Sequence, residues 1–381
     1  MLVEPLDCIV PADAQAVEAR AAALVAAGAR SLLILAGEGA LVSDDEWDAL
    51  LRAQPVPVCG GIFPSVLVEG EALARGVLVM GMRCEASVCV VPGLGEAQTP
   101  DLAALGACLP GLQAARTVLL WVDGLAHRVD DLLGEIYDQL GAEPAFFGAG
   151  AGSASFMPRR CVFSNEGLLA ESAVLMGLPV SIGLGFAHGC APVAGPFLVS
   201  TVTSNRIGRL DFAPALEVYR EEVRRLSGQE VTQQNFFSVT RAFPFGLERM
   251  DGSFLLREPV QIDGERIICV GDVSEQSTLH ILHGGVREVF RAAEQACEEA
   301  LASTIRPAAV LLIDCLNRAR YLGAAHLHQD ARIRKRLEEA GHGGTPVFGV
   351  LSVGEFASQS GNYPEFHSRT FVLGLLPHDA A

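Results

Sequence analysis

One order of elements runs through this chain three times. The apolar strand SLLILA (Ser31 to Ala36) follows an alanine-rich stretch in which Val17, Ala21, Leu24 and Val25 keep helical spacing. TVLLWV (Thr117 to Val122) again follows an alanine-rich segment. AVLLID (Ala309 to Asp314) follows a third helical face, made of Val286, Val289, Phe290, Ala293, Cys297 and Leu301. A second helix comes after each strand. In the first copy Ser43 and Glu46 are spaced for a capping box. The second, RVDDLLGEIYDQLG, closes on Gly141, and the third, RIRKRLEEAG, on Gly341, where a glycine stops a helix without strain. A Pro-led strand then runs into glycine (PVPVCGGIF, EPAFFGAGAG, TPVFGVLSVGEF), and each copy ends in a related strand (GVLVMGM, SAVLMGL, TFVLGLL). Repetition of α-β-α-β-loop-β predicts an α/β fold with mixed sheets built from repeated α-β-α-β-β units.

Between copies two and three the pattern changes. FLVSTVTSNRIGRLD alternates apolar and polar residues, which is antiparallel strand chemistry. A helix around ALEVYREEVRRL follows, and then FFSVTRAFPF, GSFLLREPV, ERIICVGDV and STLHILHGG read as four short strands. This block predicts a central antiparallel sheet, with a domain boundary near Asp211.

Composition narrows the function classes. The 28 Lys and Arg against 45 Asp and Glu give a net charge of -17, the wrong sign for a nucleic-acid backbone or an anionic membrane surface. The longest low-charge run, Ala173 to Ala187, contains Pro179 and is shorter than the ~20 residues a membrane span needs. The N-terminus has no basic region of a signal peptide. Ten scattered cysteines with no C-x-x-C pair read as reduced core thiols. A cytoplasmic protein is the expectation, with its apolar excess in buried strands, in a pocket, or in an interface that pairs it as a homo-oligomer.

Several motifs occur in order: GGIFP (Gly60 to Pro64), VDGL (Val122 to Leu125), FFGAGAGS (Phe146 to Ser153), HG (His188, Gly189), PALEVY (Pro214 to Tyr219), FPFG (Phe243 to Gly246), REP (Arg257 to Pro259), IDCLNR (Ile313 to Arg318) and GEF (Gly354 to Phe356). The set resembles the FIST proteins, with a FIST N-terminal domain over 1–210, made of two related α/β units, and a FIST_C domain over 211–381. That resemblance implies a non-enzymatic sensory module for a small ligand, acting with a signalling partner. A chain of this size is similar to the haem-based nitric-oxide sensor branch. That implies b-type haem and control of a histidine kinase or a cyclic-di-GMP enzyme, as in two-component signalling. Two positions depart from the family pattern: Cys190 stands where an aromatic often follows His-Gly, and Asn317-Arg318 follows Leu316 where Ser-Arg is common.

The candidate site residues follow. His188 ends a long apolar, glycine-containing stretch, and a neutral imidazole at the mouth of an apolar pocket suits haem iron. Cys190 is a thiolate alternative. Gly148 and Gly150 read as a tight turn that lets backbone approach a neighbour or an anion, with Arg159 and Arg160 close behind. Asp123, at a strand end within reach of His127, suggests an acid–base pair. Its counterpart in copy three is Asp314-Cys315, with Arg318 nearby, and Asp314 could equally cap a helix. Glu355 either binds a ligand amine or pairs with a loop N–H. The pairs His280/His283 and His326/His328 lack a third ligand at metal spacing and read as solvent-facing strand-end and loop residues. Two alternatives stand beside the haem reading: a haem-free sensor of amino acids or related metabolites, and a hydrolase-like enzyme using the strand-end aspartates or Cys315.

Overall fold

A computed structural model describes residues 7–9, 12–95, 106 and 111–378. The alanine-rich segment before Thr117 falls largely outside the described residues. The three copies form three six-stranded sheets of one design. In the first, Ser31–Gly37 pairs in parallel with Val58–Phe63 and antiparallel with Val77–Met82. In the second, Thr117–Asp123 sits between Ala145–Ala151 and Ala173–Leu178. In the third, Pro307–Cys315 sits between Val347–Ser352 and Phe371–Pro377. These strands are buried on both faces, so they are continuous apolar runs rather than alternating ones.

The unit is longer than the repeated order suggests. A leading strand flanks each closing strand: Asp7–Ile9, Ser87–Val91 and Gly183–Ala187. The third leading strand is far in sequence from the helix Val286–Leu301 that continues its unit, although the two pack together in space. The whole antiparallel block is therefore an insertion within the third unit. That block is an eight-stranded sheet ordered around Ala191–Thr203, which pairs with Thr278–His283 on one side and Arg206–Leu210 on the other.

The segment read as a loop in each copy is a hairpin, and each hairpin completes the sheet of another unit. Ser65–Val68 of the first unit pairs with Val347–Ser352 of the third. Val162–Ser164 of the second pairs with Val58–Phe63 of the first. Glu355–Ser358 of the third pairs with Ala145–Ala151 of the second. The exchange is cyclic, and sheets cross the sequence position at 211 in both directions. Aromatic side chains fill the junction. Phe63 and Trp121, fully buried and from different units, meet edge to face with centroids 5.8 Å apart, a pairing worth about 0.5–1.5 kcal/mol beyond its buried area.

Two local expectations are corrected. FFSVT is not a strand but the short helix Phe236–Thr240, which turns Phe236 and Val239 inward. Gly148 and Gly150 are not in a turn; both lie within the strand Ala145–Ala151. The close approach is real. A Cβ on Gly148 would stand 1.8 Å from the Leu120 carbonyl oxygen, and the equivalent Gly60 and Gly349 meet the Ile34 and Leu312 oxygens at 1.8 and 2.1 Å. All three occupy the same register position of their units. The Ser43–Glu46 capping box and the Gly141 cap form as the sequence reads.

Candidate ligand site

The strand Pro307–Cys315 ends against the seven-residue helix Leu316–Leu322, so Cys315, Leu316 and Asn317 leave the sheet edge together. Beside them lie Ser352, the last residue of the adjacent parallel strand, Val353 and Gly354 just after it, and Gly124 and Leu125 from the second unit. The inserted block roofs these strand ends with Phe237, Glu258, Val260 and Val270. Together they enclose an apolar cavity of about 360 Å³, within the size range of small-molecule sites. Its position outside the carboxyl ends of parallel strands is where open α/β sheets bind ligands.

The polar groups of the cavity are few. Asn317 Nδ2 donates to Glu258 Oε2 at 2.6 Å. The other carboxylate oxygen of Glu258, Oε1, and the single side-chain oxygen of Asn317, Oδ1, are buried and have no partner among the described residues. An unmet buried polar atom costs about 1–3 kcal/mol. Burial pushes the Glu258 carboxyl above its ordinary value, against the pull of Arg369 and the bond from Asn317. Cys315 lies beneath. Burial pushes its thiol well up, and the Glu355 and Glu258 carboxyls add to the rise. Glu355 itself is fully buried and burial pushes it up to about 8, although it accepts from Ser352 Oγ at 2.6 Å and Thr370 N at 3.1 Å. It therefore stands behind the cavity wall rather than in the lining.

Of the other residues singled out from the sequence, several are committed elsewhere. Asp123 accepts from the Leu125 and Glu171 amides at 3.0 and 2.9 Å; it organises a turn, while His127 is exposed. Arg318 is fully buried, spans Asp314 and the Val289 carbonyl, and lies over Phe371. Burial pushes Asp314 up, but Arg318 and His326 together hold it below its ordinary value. His326 is not a loop residue facing water: it is buried, with Nε2 2.7 Å from Asp314 Oδ2. The other pair is tied down too, His280 to Glu248 and His283 to the Ala242 carbonyl. Arg160 is held bidentate by Asp48. The cap of the helix after Asp314 is Cys315 itself.

His188 and Cys190 line a different cleft, of about 650 Å³, with Arg249, Asp251, Glu299, Gln359 and Glu365 in its walls. His188 Nδ1 accepts from the Cys190 amide at 3.0 Å. Burial lowers its pKa to about 4, with the Arg249 charge adding to the fall and a hydrogen bond to the Phe254 backbone opposing it. A porphyrin needs apolar walls and an imidazole nitrogen free for iron. This cleft has charged walls and its imidazole is engaged, so His188 does not fit an axial ligand in this conformation. Among the described residues no cluster of three His, Cys, Asp or Glu side chains could hold a metal ion.

Glu258 was not singled out from sequence, and Asn317 only as a departure from the family pattern, although REP and IDCLNR contain them. The available signal was a carboxylate between Arg257 and Pro259 at the junction of two strands, Phe254–Arg257 and Pro259–Asp263.

Sheets of one design thus frame a cavity at their strand ends, and an inserted antiparallel block roofs it. The FIST N domain pattern matches residues 12–212 and the FIST C domain pattern residues 215–358. The chain belongs to the FIST domain proteins, whose domains are signal-transduction sensors for small ligands. No curated protein matches the chain. A solved structure, "T. maritima PurL complexed with ADP", aligns over 98% of this chain and 73% of that one at 11% identity with a TM-score of 0.18, a likeness too slight to carry an argument. No described helix is long and apolar enough to cross a membrane.

Proposed function

We propose that this protein senses a small metabolite with a hydrogen-bond-donating head, such as the amine of an amino acid or a related compound. The ligand sits in the Cys315 cavity, and its presence is passed to a signalling partner, a histidine kinase or a cyclic-di-GMP enzyme. The observation that carries this reading is the pair of unmet acceptors, Glu258 Oε1 and Asn317 Oδ1, on two residues of a mostly apolar lining whose other polar side chains are the hydroxyls of Ser352 and Ser368. A ligand N–H would satisfy both. The geometry favours binding over turnover: burial keeps the Cys315 thiol protonated, and among the described residues no histidine lines the cavity to act as its base.

The ligand would touch the second unit, the third unit and the insertion at once. Binding that depends on their relative packing shifts the population of that packing, which is the signal. Calorimetric titration of the full chain with a panel of primary amines and apolar amino acids tests the reading. Saturable one-site binding is expected, and a Val270→Phe substitution, which fills the cavity, should abolish it. Absence of binding across the panel, or binding indifferent to the filled cavity, overturns it.

A further inference from the structure

Two phenylalanines stand at the mouth of the same cavity. Phe156 comes from the loop after Ala145–Ala151, and Phe237 from the short helix of the insertion. Both line the cavity and both are half-buried, whereas Cys315 and Glu258 lie deep. Their rings meet edge to face with centroids 6.5 Å apart. Phe156 holds this place at a φ of 54°, the left-handed region that a bulky side chain seldom adopts. Strain of this kind persists where surrounding contacts enforce it, and it gathers at ligand clamps.

Each ring carries an arginine. Arg320 lies over Phe156 at 5.2 Å and Arg241 over Phe237 at 5.4 Å. Their hydrogen bonds run to backbone carbonyls: Arg320 Nη2 to Ala154 at 2.6 Å and Arg241 Nε to Phe237 at 3.3 Å. Neither has a carboxylate salt-bridge partner among the described residues. Two carboxylates act on Arg320 through space, Glu258 more than Glu38, and Glu38 accepts from the Ala154 amide at 2.9 Å. The two guanidiniums also repel each other, since the Arg241 charge, after burial, is what lowers the Arg320 pKa. Both act on Glu258, and buried Arg369 acts on it more strongly still. In a chain with a net charge of -17, three cations thus converge on one buried carboxyl at this cavity.

We propose that Arg241 and Arg320, set over Phe237 and Phe156, form an anion subsite at the cavity mouth that takes a carboxylate of the ligand. This rests on the cavity being the ligand site. The preferred ligand is then an amino carboxylate with an apolar body: its N–H groups meet Glu258 and Asn317, and its carboxylate bridges two guanidiniums that otherwise repel. Guanidinium–carboxylate hydrogen bonds are charge-assisted and directional, and they suit a site whose other walls are apolar.

The test uses two probes that differ only in the anion, 6-aminohexanoate and its neutral amide, titrated into the full chain. The acid should bind about ten-fold tighter or more. Arg320→Gln and Arg241→Gln should each pull that ratio toward one, weakening the acid much more than the amide. Arg320→Lys, which keeps the charge, should restore part of it. A purely structural role for Arg320, holding the Ala154 loop, would weaken both probes together and would overturn the proposal. So would equal affinities in the unmodified chain, or a ratio that survives both substitutions. If neither probe binds, the cavity reading fails with it.

Discussion

Asn317 Nδ2 and Glu258 Oε2, 2.6 Å apart, join the helix after the third unit's first strand to the inserted antiparallel block. The bond spans the two parts of the chain that enclose the cavity, and it leaves an unmet oxygen on each partner. Asn317→Leu should destabilise the protein by about 1–3 kcal/mol, because a buried carboxyl then loses its side-chain donor. Glu258→Gln should cost less, since its amide oxygen still accepts from Asn317. Urea unfolding of both variants checks the order, and the reverse order would show that the pair does not hold the two parts together.

Glu355 makes stability fall as pH rises. Its carboxyl stays protonated in the fold up to about 8, against an ordinary value of 4.5. The folded state therefore keeps a proton that the unfolded chain has already released. The stabilisation is fully present below 4.5 and is lost as pH climbs through about 8. Glu355→Gln should flatten that decline across the window. A decline of unchanged slope in the variant would assign it to other groups.

Two buried histidines act at the other end of the scale. Burial lowers His188 to about 4 and His367 to about 3, from an ordinary 6.5. Their neutral rings stabilise the fold fully above 6.5, and that contribution is lost as pH falls toward the folded values. His367 Nε2–H also donates to the Ala357 carbonyl at 3.0 Å, and His367→Gln keeps a donor there. Thermal melts from neutral to mildly acidic pH should show a shallower loss in this variant than in the unmodified chain.

Gly148→Ala should be among the most damaging single substitutions. Its new methyl would have to displace the Leu120 backbone in the middle of a parallel pair. Overpacking against backbone, which cannot rotate away, costs about 3 kcal/mol or more. Circular dichroism melts would detect it, and a near-neutral result would mean that the two strands have room to part.

Haemin offers a direct check on the His188 cleft. Its charged walls and engaged imidazole imply that no Soret species formed on titration will depend on His188. A stoichiometric haem complex that disappears in His188→Ala would reverse the assignment of that cleft.

The repeat was legible because buried parallel strands are continuous apolar runs and their helices are capped by recognisable residues. What the sequence did not reveal was where each hairpin goes. Ser65–Val68 has the same local chemistry whether it pairs within its own unit or in the third, since strand pairing is chosen by tertiary neighbours. Gly148 and Gly150 misled for a related reason: glycine marks both turns and close strand contacts, and only the position of Leu120 and Val353 separates the two. Cys315 could be read as a site residue from its strand end, whereas Glu258 and Asn317 are far apart in sequence and meet only when the insertion folds over the third unit.

The exchanged hairpins also set an order of events during synthesis. The hairpin around Ser65–Val68 emerges early, yet the edge it pairs with, Val347–Ser352, is translated near the end of the described chain. Until then that apolar strand has an unpaired side, a template on which another chain could add. A nascent chain of this design therefore carries an open strand edge until its last sheet is made.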